Sequence, residues 1–210
     1  HLSIRRQRQM CIRDRVSGMH EVAYRNLLNH LGMRDEIRIY DPVQRLALVK
    51  DEVLDLLGVD TRYLFAGPPS FWKFEEREDG SWTDEFGTGY RRSELYCDFL
   101  FPVLGKAAFT EIKRYRFPNP RDRARFEGLK EKAARLYETS GYALIGGNIP
   151  SVYYLAWVLR GMEQFMTDVV LDPNLACYLM DRIVDWNIGF LDGYLSAIGA
   201  YIEYQWVGDD

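Results

Sequence analysis

The sequence predicts an α/β fold built on a parallel sheet, and two observations predict it. Three short strand-like runs, at 63–66, 142–145 and 201–207, are each followed at once by glycine, at Gly67, Gly146 and Gly208. Short apolar runs closed in this way suit strands buried on both faces. Helix-period stretches separate the runs, so consecutive strands need crossover connections that lay them side by side and parallel.

The elements follow in order. Ala23, Leu27 and Leu31 recur at i, i+4 and i+8, and Gly32 then supplies a left-handed stop, which predicts a helix over 21–31. Asp41-Pro42 reads as an N-cap and first helical residue, with Gln44 at capping-box spacing. A stripe of Leu46, Val49, Val53 and Leu57 continues that helix to Gly58, with Val49 the point where it could break. The first strand, 63–66, is closed by Gly67-Pro68-Pro69. Beyond it the aromatic segments FWKFEER and SWTDEFG flank Asp79-Gly80, a dipeptide suited to the positive φ angles of a tight turn, so an inserted β-hairpin is predicted with its tip there. Phe117-Pro-Asn-Pro120 is a stiff connector. Phe126, Leu129, Ala133 and Leu136 mark a helix that runs to Gly141, and the second strand, 142–145, ends at Gly146-Gly147-Asn148. Leu155, Leu159, Met162 and Met166 lie on one further helix. Asp172-Pro173 caps another that carries Leu175, Leu179, Ile183 and Phe190 as far as Gly199. The third strand is 201–207.

Composition narrows the function classes. A hydrophobic content of 47% with 28% charged residues fits a folded globular chain. The 31 acids exceed the 27 lysines and arginines, and a net negative surface repels phosphate backbones, so no nucleic-acid partner is expected. No apolar run approaches the ~20 residues that span a bilayer, and the first residues lack the apolar stretch of a secretory signal. The expectation is a cytoplasmic protein with no membrane partner. Cys11, Cys97 and Cys177 are too scattered for a disulfide framework or a metal knuckle and are expected as reduced thiols, two of them in core positions. Residues 1–15 hold five arginines and one acid with no apolar periodicity and are expected to be a foreign or disordered tail, leaving 16–210 as the domain.

No GxGxxG follows a strand and no GxxxxGK[ST] occurs, which removes the usual support for dinucleotide and P-loop open sheets. The remaining form is a (β/α)8 barrel, but a full barrel takes about 250 residues, so a barrel here is incomplete. In a barrel the informative residues follow the strands: Gly67, Gly147, Asn148, Asp209 and Asp210. The acidic pair could hold a metal or a polar substrate, or could simply be solvated. His20, just before the first helix, could be aimed at the same face or serve as a cap. No His, Cys and carboxylate cluster has metal-ligand spacing, and no nucleophile–base pair stands out. Aromatic residues make up 14% of the chain; such rings could line a pocket for a flat macrocycle, though core packing accounts for most of them.

Several stretches together resemble the uroporphyrinogen decarboxylase superfamily, which includes the methylcobamide:coenzyme M methyltransferases. They are SGMHEVAYRNLLNHLGM, EVLDLLGVDTRYLF, DGSWTDEFG, RFPNPRDRARFEGL, YLAWVLRGMEQFMTDVVLDP and IGAYIEYQWVGDD, which together span residues 17 to 210. The resemblance implies a partial (β/α)8 barrel with an inserted β-hairpin, its first strand and C-terminal half missing, and a site at the strand C-termini. The arginine-rich first-strand motif of the decarboxylases is absent. Gly67 stands where those enzymes carry their catalytic aspartate, and Trp157 where they carry an active-site tyrosine. Glycine has no side chain with which to accept from pyrrole N–H groups, so the methyltransferase branch is the closer likeness. In that branch a zinc held by His and Cys residues of the second barrel half activates a thiol, which takes a methyl group from a corrinoid.

The resemblance therefore implies an intact parent that is a corrinoid-dependent methyltransferase, with zinc and a corrinoid as cofactors and a corrinoid protein or a tetrapyrrole small molecule as partner. No catalytic residue can be named and no zinc ligand is expected within 1–210, and the chain by itself is expected to be inactive. It is also expected to dimerise or aggregate through open barrel edges. The substrate-binding candidates are His20, Gly67, Asn148, Trp157, Asp209 and Asp210. The alternatives are a uroporphyrinogen decarboxylase of heme biosynthesis and a noncatalytic binding protein on the same barrel.

Overall fold

The computed structural model describes residues 18–34, 36–147 and 149–207. The reading of residues 1–15 as a tail, and the candidates Asn148, Asp209 and Asp210, fall outside these residues.

Helix α1 (Glu21–His30) buries Tyr24 and Leu28 against Ala47 and Val53, which together form a small apolar cluster. Between the two halves of that cluster lies a β-hairpin, β1 (Ile39–Asp41) against β2 (Leu46–Ala47), followed by helix α2 (Asp51–Leu56). This corrects the helix predicted from Asp41-Pro42. The Asp41 carboxylate does accept two backbone N–H groups, from Val43 and Gln44 at 3.0 Å each, but they close a turn instead of opening a helix. An aspartate N-cap and an aspartate-centred turn use the same local hydrogen bonds, so the sequence signal was shared between them. Gly58 ends α2 at φ +68°, as expected.

Strand β3 (Thr61–Leu64) follows. Arg62 within it is buried. It bonds the carbonyls of Val59 and Thr61 at 2.9 Å, pairs with Asp51 and Asp55 of α2, and lies over the Tyr142 ring at 3.8 Å. This joins the N-terminal unit to the main sheet.

Next come β4 (Ser81–Thr83), β5 (Gly89–Arg92) and β6 (Cys97–Phe101), an antiparallel sheet in that order. Asp79-Gly80 is a tight turn, with Gly80 at φ +75° and the Asp79 carboxylate accepting from Ser81 N. It is not the tip of a two-stranded hairpin, because 71–76 form no strand. The hairpin reverses at 84–88 instead, where Asp84 accepts from Phe86 N at 3.0 Å and Thr88 N at 2.9 Å and Gly87 takes φ +90°. The hairpin packs inward: Trp82, Phe86 and Tyr90 lie in the main core, with the rings of Trp82 and Tyr90 stacked at 4.6 Å.

Helix α3 (Phe109–Arg114), a 3₁₀ turn (Arg123–Phe126) and helix α4 (Leu129–Thr139) lead to β7 (Ala143–Gly146). Then follow α5 (Val152–Arg160), α6 (Met162–Leu171), α7 (Pro173–Ile198) and β8 (Tyr204–Gln205). The single helix predicted through Leu155 and Met166 is broken at Gly161, whose φ of +85° no α-helix accommodates. The two pieces are tied by the buried pair of Arg160 Nε and Asp168 at 2.6 Å. Asp172 caps α7 as expected, accepting from Leu175 N. One apolar face of α7, including Leu179, Ile183, Trp186 and Phe190, packs with Leu64, Leu144, Leu159 and Phe165 in the main core.

The molecule is a mixed α/β protein. Its parallel sheet runs in the order β3-β7-β8, with Tyr63 beside Ile145 and Ile145 beside Tyr204. Adjacency and direction match the sequence expectation; the first two strands keep four residues but are displaced by two positions and one, and the third is shortened to two residues. Among the described residues none of the small sheets is closed into a barrel. Cys97 is half-buried and Cys177 exposed, which corrects the expectation of two core thiols. Among the described residues no helix is long and apolar enough to cross a membrane.

Candidate functional site

The carboxyl ends of β3 and β7 are pinned by glycine and tyrosine. Gly147 N donates to Leu64 O at 2.9 Å and to the Tyr194 hydroxyl at 2.7 Å, and that hydroxyl donates in turn to Leu64 O. A Cβ at Gly147 would lie 2.6 Å from Leu64 O, so the two strand ends approach closely only because residue 147 has no side chain. Burial pushes the Tyr194 phenol up to about 12, against a small opposing pull from the Gly147 amide. Gln205 Nε2 donates to Gly147 O at 2.7 Å and ties in the segment after β7.

Gly67 sits just beyond β3. Its N–H donates to Arg125 O at 2.8 Å, which brings the 3₁₀ turn over the strand end. The Arg125 side chain is buried and pairs through both terminal nitrogens with the Glu85 carboxylate. Its Nε donates to Asn119 O at 3.3 Å, and its guanidinium lies 5.3 Å from the centre of the Trp186 ring. One arginine thus joins the β3 end, the β4–β5 turn and α7. A charge buried to this degree requires such pairing, because desolvation alone would expel it.

Asp84 lies beside Glu85. Burial pushes its carboxyl up to about 6, although the amides of Thr88 and Phe86 and the Tyr90 hydroxyl at 3.3 Å all pull it down. The Tyr115 hydroxyl donates to Phe86 O at 2.6 Å, and burial raises that phenol as well. These groups wall a cleft of about 450 Å³, whose rings include Trp72, Phe86, Tyr115 and Phe117. Trp72 is held by its indole N–H on Thr83 O at 2.9 Å.

A second cleft, of about 620 Å³, is lined by Tyr63 and Phe65 together with residues of β2 and α2. Tyr40, Phe65 and Tyr63 stack along it at 4.8 and 5.8 Å.

Of the sequence candidates, Gly67 lies at the strand end as expected. His20 does not belong to either cleft's walls. Its Nδ1 accepts from Val22 N, so the ring proton is on Nε2, which reaches Leu95 O at 2.7 Å. It caps α1 and ties it to the β5–β6 turn, which is the structural one of the two roles open to it. Trp157 packs on Tyr154 and Phe99 at 4.8 and 6.4 Å and walls neither cleft. The groups that sequence reasoning missed are Asp84, Glu85, Tyr115 and Arg125. One signal was present: two consecutive acids inside the aromatic segment SWTDEFG, where burial demands partners.

The described residues do not fit a zinc ion. No group of three or more His, Cys, Asp or Glu among them could hold a metal. His20 is committed to its cap, Cys97 Sγ lies on Pro42 O, and Cys177 is exposed.

Fold and site together define a class: an α/β protein with a three-stranded parallel sheet and an aromatic-walled cleft whose Glu85 is linked through Arg125 to the β3 end. No protein-family model, curated protein or solved structure matches this chain.

Proposed function

We propose that the chain is a sector of a (β/α)8 barrel of the uroporphyrinogen decarboxylase superfamily, from a polypeptide that transfers methyl groups between a corrinoid protein and a thiol or other acceptor. The supporting observation is the sheet order. β3, β7 and β8 are parallel neighbours in chain order with helices in each connection, the succession a barrel requires. An open doubly wound sheet instead reverses its order at a switch point. In this reading further strands join the outer edges of β3 and β8, and a preceding strand lies at the cleft lined by Tyr63 and Phe65. Left unpaired, the same edges favour dimers or aggregates.

Gly67 favours methyl transfer over decarboxylation, because the β3 end offers a backbone amide already bonded to Arg125 O and no carboxylate. When bound, a corrinoid supplies the methyl-carrying centre; the described residues of this chain hold the strand ends and wall the cleft beside them. Zinc ligands belong, in this reading, to residues other than those described, and no step is assigned through the metal.

The test is methyl transfer from methylcobalamin to a thiol, followed by absorbance, with metal content measured in parallel. The complete gene product transfers methyl groups and holds stoichiometric zinc, whereas this chain alone does neither. A chain that is monomeric, zinc-loaded and active by itself overturns the proposal, as does a complete protein that decarboxylates uroporphyrinogen.

A further inference from the structure

In the cleft between the β4–β5 turn and residues 115–119, two of the ring-bearing wall residues have polar tips that are already engaged. The Trp72 indole N–H is bonded to Thr83 O and the Tyr115 hydroxyl to Phe86 O. What these residues, with Phe86 and Phe117, can present to the cleft is ring carbon. Phe117 stands edge-on to both Tyr115 and Phe86, at 5.0 and 6.4 Å, so the rings support one another. Of the two acids in the walls, Glu85 is neutralised by Arg125. Asp84 keeps acceptor capacity: its Oδ1 takes two amide protons, but its Oδ2 meets only the Tyr90 hydroxyl, at 3.3 Å. Arg116, also in the walls, is exposed.

Aromatic rings with one under-used carboxylate do not suit an anion, which Asp84 would repel. Nor do they suit a ligand rich in hydrogen-bonding groups, since the rings offer none. They suit a cation that carries its charge on methyl groups, which is attracted by ring faces and by a carboxylate and asks for no hydrogen bonds. We propose that this cleft binds a quaternary ammonium head group between Trp72, Tyr115 and Asp84. A volume of about 450 Å³ accommodates a trimethylammonium group with part of its substituent. The proposal needs only this cleft and goes beyond the superfamily reading.

The experiment compares choline with 3,3-dimethylbutan-1-ol, its uncharged isostere, by calorimetry and tryptophan fluorescence on this chain. Choline binds saturably and at least about tenfold more tightly than the isostere, the margin expected of a desolvated cation on aromatic faces. Trp72→Leu and Asp84→Asn each weaken choline several-fold. Tyr115→Phe, which keeps the ring, binds as the parent does, whereas Tyr115→Leu weakens binding. Equal affinity for the two compounds, or binding of neither, overturns the proposal. So do Trp72→Leu and Asp84→Asn variants that keep the parent's circular dichroism and its choline affinity. None of these readouts depends on methyl transfer, so failure here is distinguishable from failure of the barrel reading.

Discussion

The two three-stranded sheets are built on opposite terms. The parallel sheet takes its stability from what covers it: Leu64 and Leu144 lie in the same core as α5, α6 and α7, and the strand ends are locked by Gly147 and Tyr194. The antiparallel sheet is covered on one side of its length only. Trp82 and Tyr90 of β4 and β5 are buried, while Phe99, Leu100 and Phe101 of β6 are 39%, 38% and 49% exposed. A buried strand is specified by an apolar run bounded by glycine, whereas a partly covered hairpin is specified by its turns. The candidate site forms where the two meet, with Arg125 at the junction.

The largest effect is expected at that junction. Arg125→Ala leaves Glu85 unpaired and removes the contact with Trp186, at a cost of roughly 3 kcal/mol or more in urea unfolding. A loss below about 1 kcal/mol would show that the two sheets do not depend on each other through this residue.

Next comes the Asp84 carboxyl, which belongs to the antiparallel side. Its native pKa of about 6 lies above the ordinary value of 3.8. The native state therefore binds the proton more tightly than the unfolded state does. The resulting stabilisation is fully present below about pH 4 and is lost as pH rises through about 6, at most roughly 3 kcal/mol. Asp84→Asn retains an acceptor for the Phe86 and Thr88 amides but does not titrate. The difference in stability between parent and variant should therefore change between pH 4 and 7, with the parent falling relative to the variant as pH rises. A difference that is constant with pH would contradict the burial of Asp84.

On the parallel side, Gly147→Ala places a methyl group 2.6 Å from Leu64 O and should cost about 1–3 kcal/mol as the strand ends move apart. The smallest effect belongs to the exposed strand. Leu100→Thr on β6 should change stability by about 1 kcal/mol or less, and light scattering should show less self-association, because the edge loses apolar surface.

The same contrast decides what was legible in the sequence. The three parallel strands could be placed within a few residues because Gly67, Gly146 and Gly208 follow local apolar runs in the sequence, and the helix stop at Gly58 and the caps at Asp172 and Gly199 are equally local. The antiparallel sheet could not, because Asp79 and Asp84 both accept from backbone amides in turns. Asp79-Gly80 has the stronger dipeptide, but the hairpin reverses at the other. Asp41 misled for the same reason, since its side chain closes a turn with the bonds that would cap a helix. At the candidate site Gly67 was legible from its place after a strand. Arg125 and Tyr115 were not, since their partners Glu85 and Phe86 lie 40 and 29 residues away in the chain. For His20 the sequence left a cap and a site residue open, and its partners Val22 and Leu95 decide for the cap.

That the parallel sheet is a sector of a barrel is tested most directly by a crystal structure of the complete gene product. The proposal expects further parallel strands on the outer edges of both β3 and β8, in chain order, with a preceding strand lying beside Tyr63 and Phe65. An antiparallel neighbour on either edge, or a strand out of chain order beside β3, would contradict it.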